Sequence, residues 1–333
     1  MKKIKWGVLS TAKIGVDKVI PAMQGGAYTE VVAIASREAS SARAAATALG
    51  IPKSHGSYEA LLADPDVDAI YNPLPNHLHV PWTTRAAEAG KHVLCEKPVG
   101  LSAGDAQALI GVRDRTGVVI QEAFMVRSAP QWVRALDVCR SGQLGDVRSY
   151  VGAFSYFNDD PTNIRNVAEW GGGGLMDIGC YLIMTSRMIF DEEPRRVMSL
   201  VERDPVSGVD TLASLMLDYP SGQAIGVCST RLAPYQRVQV FGTRGRLEVE
   251  IPFNAPPDRP CRLFVDSHGD LLGRTVETLE IPACDQYRAQ GDELSLAILE
   301  SRAAPYPLEM SVKNMAVIDA AFRSATSGGW EVP

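Results

Sequence analysis

The sequence lacks the features that mark disulfide-bonded, nucleic-acid-binding and membrane-spanning proteins. Its six cysteines are scattered without a Cys-x-x-Cys pair, which predicts buried thiols in a reducing cytosol rather than disulfides or a zinc site. Basic residues do not outnumber acidic ones, and the net charge of −6 indicates no basic surface for nucleic acid. No apolar run approaches the length of a membrane span. We therefore expect a cytoplasmic protein with neither nucleic-acid nor membrane partners.

The first residues are not expected to form a signal peptide. Residues 1–6 include lysines, but neither a long apolar stretch nor an Ala-x-Ala site follows, so this segment predicts a first strand. The 333 residues are 46% hydrophobic and 22% charged, which suits one large or two ordinary globular domains. We place the boundary after residue 123, which gives domains of residues 1–123 and 124–333.

Apolar strands and helical segments alternate over the first domain. This alternation predicts βαβ units and therefore a parallel sheet. Ligands of such sheets bind at the carboxyl ends of the strands, where Ser10, Arg37, Asn72 and Lys97 fall. After residue 124 the pattern changes to alternating apolar and polar runs joined by turns. The second domain is therefore predicted to hold a mostly antiparallel sheet with a few helices.

The turn after the first strand is a weakened dinucleotide-binding fingerprint. The glycines of Gly-x-Gly-x-x-Gly fall on Ser10, Ala12 and Gly15, so only the third is present. Serine and alanine are the next smallest residues, and they still let a pyrophosphate approach the backbone at a helix N-terminus. A plain turn between strand and helix is the alternative, and the motif alone does not decide between them.

The end of the second strand indicates which dinucleotide would bind. Ser36-Arg37 stands where an NAD-binding fold has an acidic residue on the ribose hydroxyls, and an arginine suits the 2′-phosphate of NADP instead. Glu38 follows directly, so NAD stays as the second cofactor. A surface arginine with no ligand is the alternative interpretation.

Two histidines in the stretch Pro75 to His79 raise the question of a metal site. His77 and His79 are two residues apart, and no acidic or cysteine partner lies close in the sequence, so no metal is expected. We expect instead a loop beside the cofactor in which these side chains have a capping or packing role.

Glu96-Lys97-Pro98 follows the apolar run that ends at Cys95. Pro98 fixes its own φ and moves Lys97 out of the helical region, so the lysine is held at a strand end. By itself the tripeptide is typical of an exposed turn with a solvated lysine. Its place at the carboxyl end of a parallel strand favours a functional lysine.

A run of four glycines, residues 171–174, precedes a second informative helix. Asp177 and Tyr181 lie four residues apart and so share one face of this helix. A carboxylate and a phenol that face one cleft can hold and protonate an oxygen. The alternative is a flexible loop followed by a buried aspartate cap and a core tyrosine.

Together these stretches resemble the Gfo/Idh/MocA oxidoreductase family over nearly the whole chain. The resemblance is carried by the first strand, turn and helix, by Ser36-Arg37, and by residues 75–79, 89–98 and 172–181. Tyr181 stands where many members have histidine. Together with residues 122–127 and 163–165, it is similar to the branch of glucose-fructose oxidoreductase, dihydrodiol dehydrogenase and xylose dehydrogenase.

The resemblance implies an α/β fold with an N-terminal Rossmann parallel sheet. The C-terminal α/β domain would hold a large, open, mostly antiparallel sheet whose exposed face makes homodimers or homotetramers. The implied reaction is hydride transfer between the nicotinamide of NADP, or of NAD, and a carbinol or carbonyl carbon of a sugar or sugar derivative. Lys97 and Tyr181 match the family's residues at the reacting oxygen, Asp177 matches its aspartate, and the Lys97-Pro98 bond is often cis in the family.

Our hypothesis is that Tyr181 exchanges the proton while Lys97 polarises the oxygen and lowers the pKa of the phenol. Asp177 would orient the substrate hydroxyls or the Lys97 ammonium. The candidate cofactor-binding residues are Ser10, Thr11, Ala12, Lys13, Ile14, Ser36, Arg37, Pro73, Leu74, Asn76, His79, Glu96, Lys97, Pro98 and Glu122. The candidate substrate-binding residues are Lys97, Arg127, Tyr156, Asn158, Asn163, Arg165, Trp170, Asp177 and Tyr181.

Three other functions stay open from the sequence. The substrate could be a cyclic trans-diol or an inositol-type polyol rather than a sugar. The protein could retain its cofactor and recycle it between two substrates. A non-catalytic NADP-binding regulator is the third alternative, but it has no need for Lys97, Asp177 and Tyr181 together.

Overall fold

The computed structural model describes residues 2–333, which divide into two compact units. The first unit extends to Met125 and also includes Asp285–Val312, and the second comprises Val126–Cys284 and Lys313–Pro333. The sequence pattern predicts two continuous domains, whereas in the structure Asp285–Val312 belongs to the first unit. No helix among the described residues is both long and apolar enough to cross a membrane.

The first unit is built on a parallel sheet, as predicted, and this sheet has six strands. Its strands are β1 Ile4–Leu9, β2 Thr29–Ala35, β3 Lys53–His55, β4 Ala69–Asn72, β5 His92–Cys95 and β6 Ile120–Glu122. They lie in the order β3-β2-β1-β4-β5-β6, so the direction of winding reverses between β1 and β4. Ligands of doubly wound sheets bind at this reversal, outside the carboxyl ends of the strands.

Helices connect these strands, and serine side chains cap the N-termini of two of these helices. The helices of this part of the chain are α1 Ile20–Gln24, α2 Ala39–Leu49, α3 Tyr58–Leu62, α4 His79–Glu88 and α5 Ala103–Thr116. Ser57 and Ser102 each accept a hydrogen bond at 3.1 Å from a backbone N–H three residues further on, before α3 and α5. Such caps satisfy donors that the first turn of a helix leaves unpaired.

Buried polar contacts explain why a late segment joins the first unit. The helix α8, Gln286–Leu299, follows the second sheet in the chain, but the Ser295 hydroxyl accepts a hydrogen bond at 3.0 Å from the buried Trp6 indole on β1. The Asp292 carboxylate accepts two more, at 2.9 and 2.7 Å, from the N–H groups of Ala27 and Tyr28. These contacts fix α8 against the start of the parallel sheet.

The second unit is built on an eight-stranded sheet. Its strands are β7 Val147–Phe157, β8 Arg196–Arg203, β9 Asp210–Asp218, β10 Gln223–Ser229, β11 Arg231–Gly242, β12 Arg246–Val249, β13 Cys261–Asp266 and β14 Glu277–Ile281. The order is β14-β13-β12-β11-β7-β10-β9-β8, and all neighbours are antiparallel except the parallel pair β7 and β10. The mostly antiparallel sheet is therefore confirmed.

One face of this sheet is covered and the other is open. The remaining helices are α6 Pro130–Arg140, α7 Cys180–Phe190 and α9 Leu308–Ser327. On the covered face, the buried Tyr150 hydroxyl of β7 lies 2.7 Å from the Thr185 hydroxyl of α7. On the open face, Met216 of β9 and Ile225 of β10 are paired across the strands and are each more than two-fifths exposed. Alternation along each strand thus separates a core face from an apolar surface.

All six cysteines are free thiols, and five of them are buried as the sequence predicts, whereas Cys284 is half-buried. Burial raises the pKa of Cys95 and Cys228, so these thiols stay protonated and behave as small apolar core residues.

Candidate active site

The candidate residues divide between the two units. Every candidate for cofactor binding belongs to the first unit. The substrate candidates belong to the second unit, except Lys97, which is a candidate for both roles and lies in the first. Most cofactor candidates follow the carboxyl ends of the parallel strands, as predicted: residues 10–14 after β1, 36–37 after β2, 73–76 after β4 and 96–98 after β5.

The turn after β1 has the backbone conformation that a glycine would ordinarily supply. Ser10 has φ +72°, in the left-handed region, and its Oγ accepts a hydrogen bond from the Ala12 N–H at 3.2 Å. This conformation costs an L-residue roughly 1–2 kcal/mol, and the local hydrogen bond offsets part of that cost. A π-helical turn, Gly15–Val19, then leads into α1. Serine thus preserves the tight turn at the start of the helical segment, where the sequence predicts that a pyrophosphate binds.

The Arg37 guanidinium lies beside the Tyr58 hydroxyl, just beyond the end of β2. Burial raises the pKa of Tyr58, and the adjacent Arg37 cation partly opposes that rise. The Tyr58 ring in turn meets Trp82 edge to face, with 4.9 Å between ring centroids. A cation is therefore held where the sequence predicts the 2′-phosphate of NADP.

The Lys97 turn follows β5 and is braced by the neighbouring strand. The buried Tyr71 hydroxyl of β4 donates a hydrogen bond to Glu96 Oε1 at 2.7 Å, and the Lys97 N–H donates to Glu96 Oε2 at 3.3 Å. The Lys97-Pro98 peptide bond is cis, as the family resemblance implies. Glu96 thus braces the backbone that carries Lys97.

Two further cofactor candidates hold the loops on either side of this turn. The His79 ring is 1% exposed, and its Nδ1 and Nε2 lie 2.7 Å from Pro98 O and 2.6 Å from Leu74 O. Burial is the main cause that lowers the pKa of His79 to about 4. Glu122, the last residue of β6, accepts a hydrogen bond from the Val99 N–H at 2.9 Å. His79 and Glu122 therefore fix the backbone around Lys97, and direct cofactor contact by either stays a prediction.

In the second unit, Asp177 is oriented by two neighbours. The Tyr156 hydroxyl donates a hydrogen bond to Asp177 Oδ2 at 2.5 Å, and Arg165 Nε lies 2.9 Å from the same oxygen. Burial, reinforced by the Asp177 charge, raises the pKa of Tyr156, so its phenol stays protonated and keeps donating. The structure thus places two predicted substrate residues, Tyr156 and Arg165, against the carboxylate of a third, Asp177.

Tyr181 is the second residue of α7 and is 4% exposed. Its ring lies among aromatic neighbours, with centroids 6.0 Å from Phe154 and 5.6 Å from Phe253. The segment before α7, Leu175–Gly179, forms a π-helical turn rather than the ordinary α-helix assumed in the sequence analysis. The two rings hold the Tyr181 phenol in an apolar setting. The π-helical turn changes the angle around the helix axis between the Asp177 and Tyr181 side chains.

The asparagines predicted to contact substrate bond mainly to their own loop. Asn163 Oδ1 accepts a hydrogen bond from the Arg165 N–H at 3.1 Å, and Asn158 Oδ1 accepts one from the Asp160 N–H at 3.1 Å. Trp170, near the end of this loop, is 39% exposed. The two amides shape the loop, while substrate contact by them stays a prediction.

Asp210, which is not among the site residues predicted from the sequence, lies beneath the glycine run. It is the first residue of β9 and is 1% exposed, and its Oδ2 accepts a hydrogen bond from the Leu175 N–H at 2.6 Å. Burial, the main cause, raises the pKa of Asp210 to about 6, although backbone N–H groups and Arg203 oppose the rise. The one available sequence signal was an acidic residue immediately before a predicted core strand.

Comparison with known proteins identifies the class to which this arrangement belongs. A family model described as an oxidoreductase family with an NAD-binding Rossmann fold matches residues 4–124, and the GFO/IDH/MocA C-terminal domain matches residues 132–248. The chain is 40% identical to D-xylose 1-dehydrogenase (NADP(+)) 2 of Haloferax volcanii, over 97% of this chain and 98% of that one. It is 48% identical to an uncharacterized oxidoreductase of Rhizobium meliloti, over 99% of both chains.

A solved structure agrees over almost the whole fold. A 3-ketoreductase from Actinomadura kijaniata, in complex with NADP and TDP-benzene, superposes with a TM-score of 0.90 at 29% identity. The match covers 97% of this chain and 98% of that one, so both units have their counterparts there.

Proposed function

The chain belongs to the Gfo/Idh/MocA oxidoreductase family, and we propose that it transfers a hydride between NADP and a carbinol or carbonyl carbon of a sugar or sugar derivative. The observation that carries the proposal is the pair of family domains matched in order along one chain, with Lys97 at the carboxyl end of β5. Full-length similarity to a xylose dehydrogenase and to a ketoreductase supports sugars as the substrate class.

The residues of the first unit fit a dinucleotide. The tight turn at Ser10 leaves backbone N–H groups at a helix start for the pyrophosphate, and Arg37 supplies a cation at the end of β2. The nicotinamide, when bound, supplies the acceptor or donor of the hydride. The protein's part is to bind and orient the reactants and to move the hydroxyl proton.

We assign the proton step to Tyr181 and the polarisation of the same oxygen to Lys97. In the oxidative direction the Tyr181 phenolate would take the carbinol O–H proton while the carbinol carbon gives up its hydride, and the Lys97 ammonium would stabilise the charge that develops on the oxygen. Asp177, oriented by Arg165 and Tyr156, would accept hydrogen bonds from the substrate hydroxyls. The bracing of Lys97 by Glu96 and the aromatic setting of Tyr181 support these roles.

A spectrophotometric substrate screen tests the proposal. NADP⁺ and NAD⁺ would each be offered with aldoses, inositols and cyclic trans-diols, and reduction followed at the nicotinamide absorbance. We expect the highest kcat/KM with an aldose. A higher kcat/KM with an inositol or a trans-diol would change the substrate class. Tight cofactor binding without turnover of any alcohol or carbonyl compound would favour a regulator.

Replacing Arg37 with alanine should reduce the preference for NADP over NAD. A charge-assisted hydrogen bond to phosphate is worth about 1.5–3 kcal/mol, so the ratio of the two kcat/KM values should fall by about 10- to 100-fold. Steady-state kinetics with each cofactor measure this ratio. Arg115→Ala is the matched control, because Arg115 pairs with Glu88 at the surface of the same unit. Equal efficiency of the wild type with both cofactors would contradict the assignment.

We further propose a cytoplasmic homodimer or homotetramer that assembles through the open face of the eight-stranded sheet. The free thiols support a reducing compartment, and the exposed apolar side chains Leu200, Met216, Ile225 and Tyr235 support the interface.

The variant Ile225→Asp should therefore dissociate to monomers in sedimentation velocity, since it buries a charge at the proposed interface. Val206→Asp, in the exposed turn that joins β8 and β9 and outside their paired residues, should leave the assembly unchanged. A monomeric wild type would contradict this interface.

A further inference from the structure

We propose that Asp210 is a positioning residue for the reaction, because it holds the start of the helical segment that carries Asp177 and Tyr181. The inference rests on the proposed function of these two side chains. Asp210 itself is buried beneath the glycine run, so it acts through the backbone rather than on a substrate.

The first step is a direct hydrogen bond to the helical segment. Asp210 Oδ2 accepts from the Leu175 N–H at 2.6 Å, and Leu175 is the first residue of the π-helical turn that leads into α7. Asp177 lies two residues further along and Tyr181 six. A buried acceptor at this point fixes where the segment begins and therefore where both side chains project.

The second step is steric. A Cβ at Gly173 would lie 2.0 Å from Asp210 Oδ1, so the carboxylate fills the space that any side chain at this position would need. A Cβ at Gly172 would lie 2.5 Å from the Arg165 carbonyl oxygen, and the Gly173 N–H donates to that oxygen at 2.9 Å. The glycine run is thus confined between Asp210 and the backbone of Arg165.

These contacts together determine the position of the Asp177 carboxylate. Arg165 is confined through its backbone by the glycine run, and its guanidinium pairs with Asp177 at 2.9 Å. Asp177 also follows the segment that Asp210 holds. Moving Asp210 would therefore displace Asp177 by two routes. A shift of about 1 Å in a reacting group costs roughly 10²-fold in rate, so such a displacement is measurable in turnover.

The test compares Asp210→Ala with Asp210→Asn in the full-length protein. Alanine removes the acceptor, so kcat/KM for the sugar should fall by about 10- to 100-fold. Asparagine retains one oxygen for the Leu175 N–H, so it should recover activity to within about five-fold of wild type. The Kd of NADPH, measured by fluorescence, should stay within about two-fold for both variants, because Asp210 belongs to the other unit.

Asp218→Ala is the matched control, since Asp218 ends the same strand and pairs with the exposed Arg196 at the surface. It should leave kcat/KM unchanged. If Asp210→Ala yields no folded protein, Asp210→Ser replaces it and is judged by the same comparison.

A lowered Tm with unchanged kcat and KM in the variants would show a purely stabilising role and would overturn the inference. Equal losses in the alanine and asparagine variants would overturn it too, because the retained oxygen would then not matter. If either result is found while the wild type turns over a sugar, the proposed function stands and only the inference about Asp210 fails. A wild type without turnover on any sugar refutes both.

Discussion

Tyr181→Phe is expected to lower kcat by about 10²- to 10⁴-fold, the usual contribution of a positioned proton carrier. Phenylalanine preserves the ring contacts with Phe154 and Phe253 and removes only the hydroxyl, so the fold should be retained. The Kd of NADPH should change little. Stopped-flow measurement of hydride transfer would separate the chemical step from product release.

Tyr150→Phe is the matched control for this change. Tyr150 is another buried phenol of the second unit, and its hydroxyl lies 2.7 Å from the Thr185 hydroxyl in the core. Its loss should cost about 1 kcal/mol in the free energy of unfolding and leave kcat unchanged. Turnover by Tyr181→Phe within a few-fold of wild type would remove Tyr181 from the proton step.

A double-variant cycle tests whether Lys97 and Tyr181 act on the same oxygen. Lys97→Ala alone should also lower kcat by at least about 10²-fold. If the two side chains act on one oxygen, the double variant should lose far less than the product of the separate losses, because groups that act as a unit are not additive. If the kcat losses of the two single variants multiply in the double variant, Lys97 and Tyr181 act independently and not on one oxygen.

Gly173→Ala is expected to have the largest effect on folding. Gly173 has φ +117°, a conformation that alanine adopts only at a cost of about 1–3 kcal/mol. The added methyl would also lie 2.0 Å from the buried Asp210 carboxylate. Overpacking adds about 1–3 kcal/mol, so the free energy of unfolding should fall by about 2–6 kcal/mol in total. Urea denaturation followed by circular dichroism measures the change.

Gly208→Ala separates the backbone cost from the steric cost. Gly208 has φ +74°, and a Cβ there would meet no atom within 4 Å. This variant should therefore lose only the backbone contribution of about 1–2 kcal/mol. Similar losses at the two positions would mean that the contact with Asp210 contributes nothing.

The parallel sheet was predictable because most of its strands and helices carry their own local signals, whereas the short polar edge strand β3 does not. The carboxyl ends of parallel strands all lie at one edge of the sheet. Ser10, Arg37 and Lys97, which follow such ends, could therefore be placed at that edge from the sequence alone. The return of α8 to that sheet could not be predicted, since it depends on contacts such as Trp6 with Ser295, which are 289 residues apart. No local pattern reports such a pairing.

The candidate site of the second unit was only partly predictable for the same reason. Asp177 and Tyr181 lie in a recognisable motif, whereas the residues that hold them come from other strands and loops. Asp210 reads as an ordinary polar residue before a core strand until its carboxylate is placed against Gly173. The residues of the edge strand β14 are largely polar and exposed and show little apolar alternation, so no local pattern predicts this strand.

The tautomer of the buried His79 ring determines which neighbouring carbonyl group it bonds. With its pKa lowered to about 4, the ring is neutral near pH 7 and carries one N–H, yet both nitrogens face backbone carbonyl oxygens. The Nδ1–H tautomer bonds the Pro98 loop, and the Nε2–H tautomer bonds the Leu74 loop. The single N–H of the neutral ring therefore bonds the Pro98 carbonyl or the Leu74 carbonyl, but not both at once.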